Sequence, residues 1–359
     1  MSGSSIGVLF KVTTWGESHG PAIGAIVEGC PSGIDLIAED IQKALDRRRP
    51  GRIASSSPRK EEDAVKILSG TFQGKTTGTP ISLIIENRDV NSSAYEDIKD
   101  IFRPGQGDYT YFKKYGIRDY RGGGRASGRE TAARVAAGAI AGKIISKEGM
   151  EVIAYTKALG GIAIKLKGDA AKKISHKNIA GSTLMCPDPD AAKEMEAKLE
   201  KARRSGDSLG GIVEIIVRGC PPGLGEPVFD KMDADLAGAL MGIGTVKGVE
   251  IGAGFKVAEM TGSQANDPIT PEGFLSNHAG GILAGITTGQ DIVIRVACKP
   301  ISSIAKVQQT IDVQGKPVEL SIKGRHDVSV IPRIITVCEA MVSIILADHL
   351  LRQKATAHE

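Results

Sequence analysis

Aromatic residues are scarce in this chain of 359 residues: one Trp, six Tyr and seven Phe, 4% of the total. The core must therefore be built from Ala, Ile, Leu and Val, with many of the 45 glycines in turns and close backbone contacts. Cysteine is sparse as well. Cys30, Cys186, Cys220, Cys298 and Cys338 are odd in number and lack metal-type spacing, which argues against a disulfide framework or a metal site and for reduced core thiols. No stretch approaches about 18 uncharged apolar residues, and no basic-then-apolar leader opens the chain. The expectation is a cytoplasmic protein that does not enter a membrane. Net charge is only +4, so basic character matters where it is concentrated. It is concentrated at Arg47, Arg48, Arg49 and Arg52, and again at Arg118, Arg121, Arg125, Arg129 and Arg134. Such clusters suit an acidic small molecule or a nucleic acid.

An internal echo sets the architecture. "AIVEGCPSGIDLIAEDIQKAL" (Ala25 to Leu45) resembles "IIVRGCPPGLGEPVFDKMDADLAGAL" (Ile215 to Leu240). Each reads as a strand, a Gly-Cys-Pro turn and a helix with acids early in it. Downstream, "GKTTGTPISLII" (Gly74 to Ile85) matches "GITTGQDIVIRV" (Gly285 to Val296), a Thr-Thr-Gly turn before an alternating strand. Two echoes in the same order predict an α+β fold with two similar halves, roughly 1–150 and 205–350, packed as one composite domain over 1–359. Arg129 to Lys147 reads as a helix with Ala132, Val135, Ala136, Ala139, Ile140 and Ile144 on one stripe. Ile334 to Leu351 is apolar over much of its surface, which predicts deep burial or a subunit contact. Asp188 to Ser208 reads as a charged helix with a solvated face.

"DYRGGGRASGRETAARVAAGAIAG" (Asp119 to Gly142) sets a glycine-rich, arginine-rich turn against a helix start. Glycines let backbone N–H groups approach an anion, and a helix N-terminus presents unpaired N–H groups. Arg125 and Arg129 could flank one anionic group with Ser127 between them; the blander alternative is a turn with solvated arginines. "GTFQGKTTG" (Gly70 to Gly78) is one residue short of a P-loop and is followed by strand-like "PISLII", so it reads as a structural turn. "TTWGESHGPAIG" puts Glu17, Ser18 and His19 between glycines, a poor way to fill a core and a good way to handle protons or anions. A Ser–His hydrolase would want a Gly-x-Ser-x-Gly elbow, which is missing. "KGRHDVSVIPR" adds Arg325, His326 and Asp327, while "SNHAGGILAG" and "KPISS" (Lys299 to Ser303) add further donors. His278 could be functional or structural. His176, His349 and His358 read as solvated.

Together, "GESHG", "DRRRPG", "FRPGQGDYTY", "KYGIRDYRGGGRASGRETAARVAAGAIA", "SNHAGGIL", "KPISS" and "GRHD" resemble the chorismate synthase family over essentially the whole chain. The resemblance implies a β-α-β sandwich monomer and a homotetramer. It implies conversion of 5-enolpyruvylshikimate 3-phosphate to chorismate and phosphate by anti 1,4-elimination, with reduced FMN as an electron donor that is not consumed. By motif it makes His19, Ser127, Asp327 and position 106 catalytic. His19 would protonate or hold the departing phosphate, and Asp327 would tune or relay the proton. Ser18, Arg48, Arg103 and Arg129 would hold the substrate. Arg125, Ala126, Ser127, Gly244, Thr245, Ala284, Lys299, Pro300, Ile301, Ser302, Ser303 and Arg325 would bind FMN. Arg48 would also meet NADPH, should that serve as reductant.

Three positions depart from the family pattern. Gln106 and Gly107 stand where the family usually has "HA" within "RPGHAD", and Gln can donate a hydrogen bond but supplies no proton at neutral pH. Impaired catalysis through Gln106 is one alternative reading. Ala54 replaces a frequent Arg, with Arg52 nearby, and Ala284 replaces a Gly. NADPH-dependent flavin reductase activity is a second alternative; a separate flavin reductase as partner is the converse. A nucleic-acid module is the remaining rival, because Tyr109, Tyr111, Phe112, Tyr115 and Tyr120 lie among the basic residues. It leaves the Gly-Glu-Ser-His and Arg-His-Asp corners without a use. No metal is expected.

Overall fold

Two five-stranded antiparallel sheets enclose the central helices. The computed structural model describes residues 3–49, 62–88, 93–166, 173–322 and 327–356; the expectations placed on Arg52, Ala54, Arg325, His326 and His358 lie outside the described residues. The first sheet contains β1 (Ser5–Ile6), β2 (Lys11–Gly16), β3 (Ala22–Glu28), β4 (Val65–Ile67) and β7 (Ile81–Glu86), in the order β1-β2-β3-β7-β4. A small ribbon, β5 (Thr71–Phe72) with β6 (Lys75–Thr76), precedes β7. The second sheet contains β8 (Glu151–Leu159), β9 (Ile162–Ala163), β10 (Gly211–Arg218), β11 (Val246–Ile251) and β16 (Ile292–Cys298), in the order β11-β16-β10-β8-β9. Between β11 and β16 run two ribbons, β12 (Ile269–Thr270) with β13 (Gly273–Phe274) and β14 (Ile282–Leu283) with β15 (Ile286–Thr287). A last ribbon pairs β17 (Gln308–Ile311) with β18 (Pro317–Leu320). The helices are α1 (Ala38–Arg48), α2 (Asp108–Tyr115), α3 (Thr131–Ser146), α4 (His176–Ile179), α5 (Pro189–Arg204), α6 (Met232–Met241), α7 (Gly262–Ala265) and α8 (Ile331–Thr356).

The halves repeat one path. β2, β3, α1, β4, β7 and α3 correspond to β8, β10, α6, β11, β16 and α8, with matching strand orders. The likeness extends to single hydrogen bonds. Thr76 Oγ donates to the Pro31 carbonyl (2.6 Å) and accepts from Ile34 N (3.0 Å). Thr287 Oγ donates to the Pro221 carbonyl (2.7 Å) and accepts from Leu224 N (2.9 Å). The Thr-Thr-Gly and Gly-Cys-Pro echoes are thus the two sides of one turn, built twice. "GTFQGKTTG" forms the β5–β6 ribbon, as a structural turn should.

α3 packs on β2, β3 and β7, α8 packs on β8 and β10, and the two helices pack on each other. Burial on α3 therefore extends past the expected stripe to Ala133, Ala137, Ala141 and Ile145, because both sides of the helix face protein. A Cβ at Gly138 would lie 2.4 Å from that of Ala340, so glycine sets how closely the helices approach. α8 is long and apolar enough to cross a membrane, yet 94% of its apolar window is buried between the other elements, as suits a core helix.

Several of its polar groups are partnered across the core. Asp348 Oδ1 accepts from the backbone N–H groups of Val8 (2.9 Å), Leu9 (2.7 Å) and Phe10 (2.8 Å). Glu339 takes Arg47 (2.8 Å). His349 is a correction to the solvated reading: it is buried, with Nε2 2.9 Å from Asp235 Oδ2. His176 is part-exposed, its Nε2 3.1 Å from the Val152 carbonyl. α5 is amphipathic, with a solvated charged face opposite buried Met195 and Leu199 and an Asp188 cap. All five cysteines are free and buried, and burial pushes the Cys30, Cys220 and Cys298 thiols up to about 11.

Candidate active site

The β2–β3 turn carries Glu17, Ser18 and His19. Asn87, just past β7, pins this turn by donating to the carbonyls of Glu17 (2.9 Å) and Gly20 (2.8 Å). Ser18 is buried, and its hydroxyl has no hydrogen-bond partner among the described residues. A buried hydroxyl left dry and unpaired costs free energy unless a ligand completes it. The His19 ring meets Tyr95 edge to face, with centroids 5.3 Å apart.

The glycine-rich segment closes over this turn. Gly122 has φ +83°, and a Cβ there would lie 2.7 Å from His19 Cδ2 and 3.2 Å from Ser18 Oγ. Only glycine allows both the backbone conformation and the approach. The Gly122 carbonyl accepts from Arg103 Nη2 (2.8 Å), whose guanidinium also makes two bonds to Asp108 (2.8 and 2.7 Å). Arg103 lies 5.5 Å from the Tyr95 ring centre. Burial works against the charge on both partners, but their mutual bonds outweigh it, raising Arg103 and lowering Asp108 from ordinary values. Arg118 adds a second cation 3.3 Å from Asp108.

Within the chain, Arg125 and Arg129 take different partners. Arg125 reaches β2, donating to the Thr14 hydroxyl (2.8 Å) and carbonyl (3.0 Å) and to the Gly16 carbonyl (3.2 Å). Ser127 caps the following turn, its Oγ accepting from Arg129 N (3.3 Å). The Arg129 guanidinium donates to Asn87 Oδ1 (2.8 Å) and to Asp63. Arg48 donates to Asp63 Oδ2 (2.9 Å), the Gly128 carbonyl (2.7 Å) and Thr131 Oγ (3.0 Å). Burial, then nearby Arg333, pushes the Arg48 guanidinium down to about 10, still charged at neutral pH. Asp327 is held by Arg333 Nη1 at 2.5 Å.

A second group of loops adjoins the first through residues 103–107. Lys299 Nζ donates to the Gly105 carbonyl (2.7 Å) and Ser302 Oγ (2.9 Å), and Gln106 Nε2 donates to Ser303 Oγ (3.0 Å). Burial, then Lys247, lowers the Lys299 pKa. Lys299 N donates to the Thr245 carbonyl (2.9 Å), and Ser208 Oγ ties down the Ile301 carbonyl (2.6 Å) beside Pro300. Cβ atoms at Gly107 and Gly244 would each lie 3.8 Å from atoms of Ala126. At Gly124 and Gly128 a Cβ would meet nothing within 4 Å, so these glycines border open space.

The chain thus gathers Ser18, His19, Arg103, Gln106, Ala126, Ser127, Gly244, Thr245 and Lys299 to Ser303 along one continuous line of contacts. Ala284 is not brought there within the chain: its ribbon, β14–β15, packs against Glu226 and Lys231 through Gly285. His278 serves the fold, since Asp267 accepts from its Nδ1 (2.9 Å) and from the backbone N–H groups of His278 (2.7 Å) and Ala279 (2.8 Å). Sequence reading missed Asp63, Asn87, Tyr95 and the role of Asp108. Only Asp108 stood inside a quoted motif.

Comparison with known proteins shows the family. Residues 10–351 match the family model described as Chorismate synthase. A chorismate synthase of Syntrophus aciditrophicus is 66% identical over 355 residues, covering 99% of each chain. One of Syntrophobacter fumaroxidans is 61% identical over 351 residues, covering 98% of each. A solved structure, "Crystal Structure of Chorismate Synthase", superposes with a TM-score of 0.77 at 34% identity, over 97% of this chain and 93% of that one. The chain belongs to the chorismate synthase family.

Proposed function

We propose that the contiguous loops form one anion-binding site, in which a substrate bearing carboxylates and a phosphate lies beside a flavin. The activity is that of a chorismate synthase, a carbon–oxygen lyase of aromatic amino acid biosynthesis: 5-enolpyruvylshikimate 3-phosphate loses phosphate and a proton to give chorismate. Full-length identity to proteins of that name favours this reading over impaired catalysis through Gln106 or flavin reductase activity.

Family membership implies a requirement for reduced flavin. The residues fit such a group. Lys299, Ser302, Ser303 and Gln106 offer a cation and neutral donors suited to a phosphate and a ring edge. Gly124, where a Cβ would meet nothing within 4 Å, and Gly244, where it would meet only the Ala126 carbonyl at 3.8 Å, leave room for a flat ring system. Reduced FMN, when bound, supplies electron density to the substrate as phosphate departs and is not consumed.

The chain's own residues do the rest. His19, held by Tyr95 and Gly122, protonates or hydrogen-bonds the departing phosphate. The buried Ser18 hydroxyl donates to an anionic oxygen. Arg103, fixed by Asp108, and the Arg48–Asp63–Arg129 group provide positive charge for the anionic groups of the substrate. Ser127 and Ala126 line the flavin beside Thr245, Pro300 and Ile301. Asp327, oriented by Arg333, handles the substrate proton, and Arg325 joins the flavin residues by resemblance. Arg125 fixes the glycine-rich segment to β2, and Ala284 serves the flavin where copies of the chain meet in a homotetramer. A single composite domain, a cytoplasmic location and reduction of FMN by NADPH or a separate reductase complete the reading.

The observation that carries it is the approach of Gly122 to both Ser18 and His19, which joins the proton-handling turn to the cationic segment. The test is phosphate release from 5-enolpyruvylshikimate 3-phosphate with dithionite-reduced FMN under anaerobic conditions. Release that needs both flavin and reductant supports the reading; release without flavin opposes it.

A further inference from the structure

Asp63 belongs to no motif, yet it lies between two of the cations assigned to the substrate. Its side chain is fully buried, with Oδ2 2.9 Å from Arg48 Nη1 and Oδ1 bonded to Arg129 Nη1. The arginines come from α1 and from the turn before α3, so nothing in the local chain sets their separation. Two adjacent guanidinium groups repel, and burial strengthens the repulsion. A carboxylate shared between them cancels it. Asp63 also holds a left-handed backbone conformation, φ +49°, which a non-glycine residue keeps only when its surroundings fix it.

Both arginines extend this connection toward the site. Arg129 donates to Asn87, the residue that pins the Ser18–His19 turn, and its backbone N–H bonds Ser127. Arg48 holds the Gly128 carbonyl and Thr131. We propose that Asp63 is a positioning residue for anion binding, setting the spacing of Arg48 and Arg129 so that they act together on an anionic group of the substrate. This rests on the reading that those arginines serve the substrate. Asp63 touches no reacting atom and acts through the two cations.

Asp63→Asn tests it well, because Asn tolerates the left-handed backbone and keeps the volume while removing the charge. One oxygen becomes an amide that faces an arginine as a donor. The expected result is a rise in substrate KM of roughly tenfold or more with kcat changed by less than about threefold. Inhibition by inorganic phosphate should weaken in parallel. Asp63→Gly should show the same defect, and formate, a free carboxylate, should partly restore KM. If Asp63→Asn fails to fold, Asp63→Glu displaces the charge by one methylene and should give a smaller shift in the same direction.

A lower melting temperature with KM and phosphate inhibition unchanged overturns the proposal, since that is the mark of a purely structural role. Tighter anion binding in Asp63→Asn also overturns it, because Asp63 would then be competing with the substrate. Should the unmodified enzyme make no chorismate, the activity reading fails. Calorimetric titration of inorganic phosphate into both forms then still decides the role of Asp63: weaker binding in the variant supports it, and equal or tighter binding overturns it.

Discussion

Tyr95 touches an imidazole and a guanidinium with one ring: its edge contact with His19 spans 5.3 Å between centroids, and Arg103 lies 5.5 Å from its centre. The aromatic ring keeps an imidazole and a guanidinium near one another. Tyr95→Leu keeps apolar bulk but loses the ring, so kcat/KM should fall by about tenfold to a hundredfold. Tyr95→Phe should stay close to the unmodified enzyme. Steady-state kinetics on both variants check this; equal activity in Tyr95→Leu contradicts it.

Ser18 offers a test in which stability and activity part company. Its buried hydroxyl has no partner among the described residues, so removing it relieves an unsatisfied group. Ser18→Ala should leave the protein as stable as before, or stabilise it by about 1 kcal/mol, while turnover falls at least tenfold. Urea unfolding beside kinetics reads both. A loss of stability with normal turnover would show that the hydroxyl serves the fold.

Gln106 donates to Ser303 at 3.0 Å and so steadies the Lys299–Ser303 loop as a neutral group. Gln106→His introduces a side chain whose ordinary pKa is about 6.5 and which can give up a proton. The ratio of variant to unmodified kcat should rise by about threefold or more between pH 8.5 and pH 6, since the added group is protonated only on the acid side. A flat ratio means that this position carries no proton.

Asp267 ties down the His278 loop. Burial raises its pKa, but bonds from Ser276, Ala279 and His278 more than offset this and hold it at about 2. A depressed carboxylate stabilises the fold above its ordinary value of 3.8, and that contribution fades as pH falls through about 2. Asp267→Asn should therefore lower stability by about 2 kcal/mol at pH 7, with the difference shrinking between about pH 4 and pH 2. Denaturant unfolding at pH 7 and pH 3 measures it; an equal deficit at both would point to lost shape rather than lost charge.

The repeat was legible because both halves reuse the same small words. Gly-Cys-Pro and Thr-Thr-Gly form one turn, and the Thr76 and Thr287 hydroxyls make matching bonds in it. The glycine-rich loop and the "GESHG" turn were also legible, since glycine at 122 and histidine at 19 are unusual local choices. What sequence could not show was pairing across distance. The carboxylate of Asp63 reaches arginines 15 and 66 residues away. The burial of His349 follows from Asp235, 114 residues earlier. Its charged neighbours suggested solvent, whereas the fold places α8 between two sheets. The intrachain partners of Arg125 and Arg129, on β2 for one and at Asp63 for the other, were likewise not shown by their spacing of four.

The central claim is that a dry hydroxyl, an imidazole and a set of paired arginines from distant loops work as one site for phosphate elimination. Its most direct test is a single anaerobic turnover with reduced FMN, following phosphate and chorismate together in the unmodified enzyme and in His19→Ala. The account predicts equal amounts of both products from the unmodified enzyme, flavin still reduced at the end, and a rate lower by about a hundredfold or more in His19→Ala. Flavin oxidised in step with product, or an undiminished rate without His19, would contradict it.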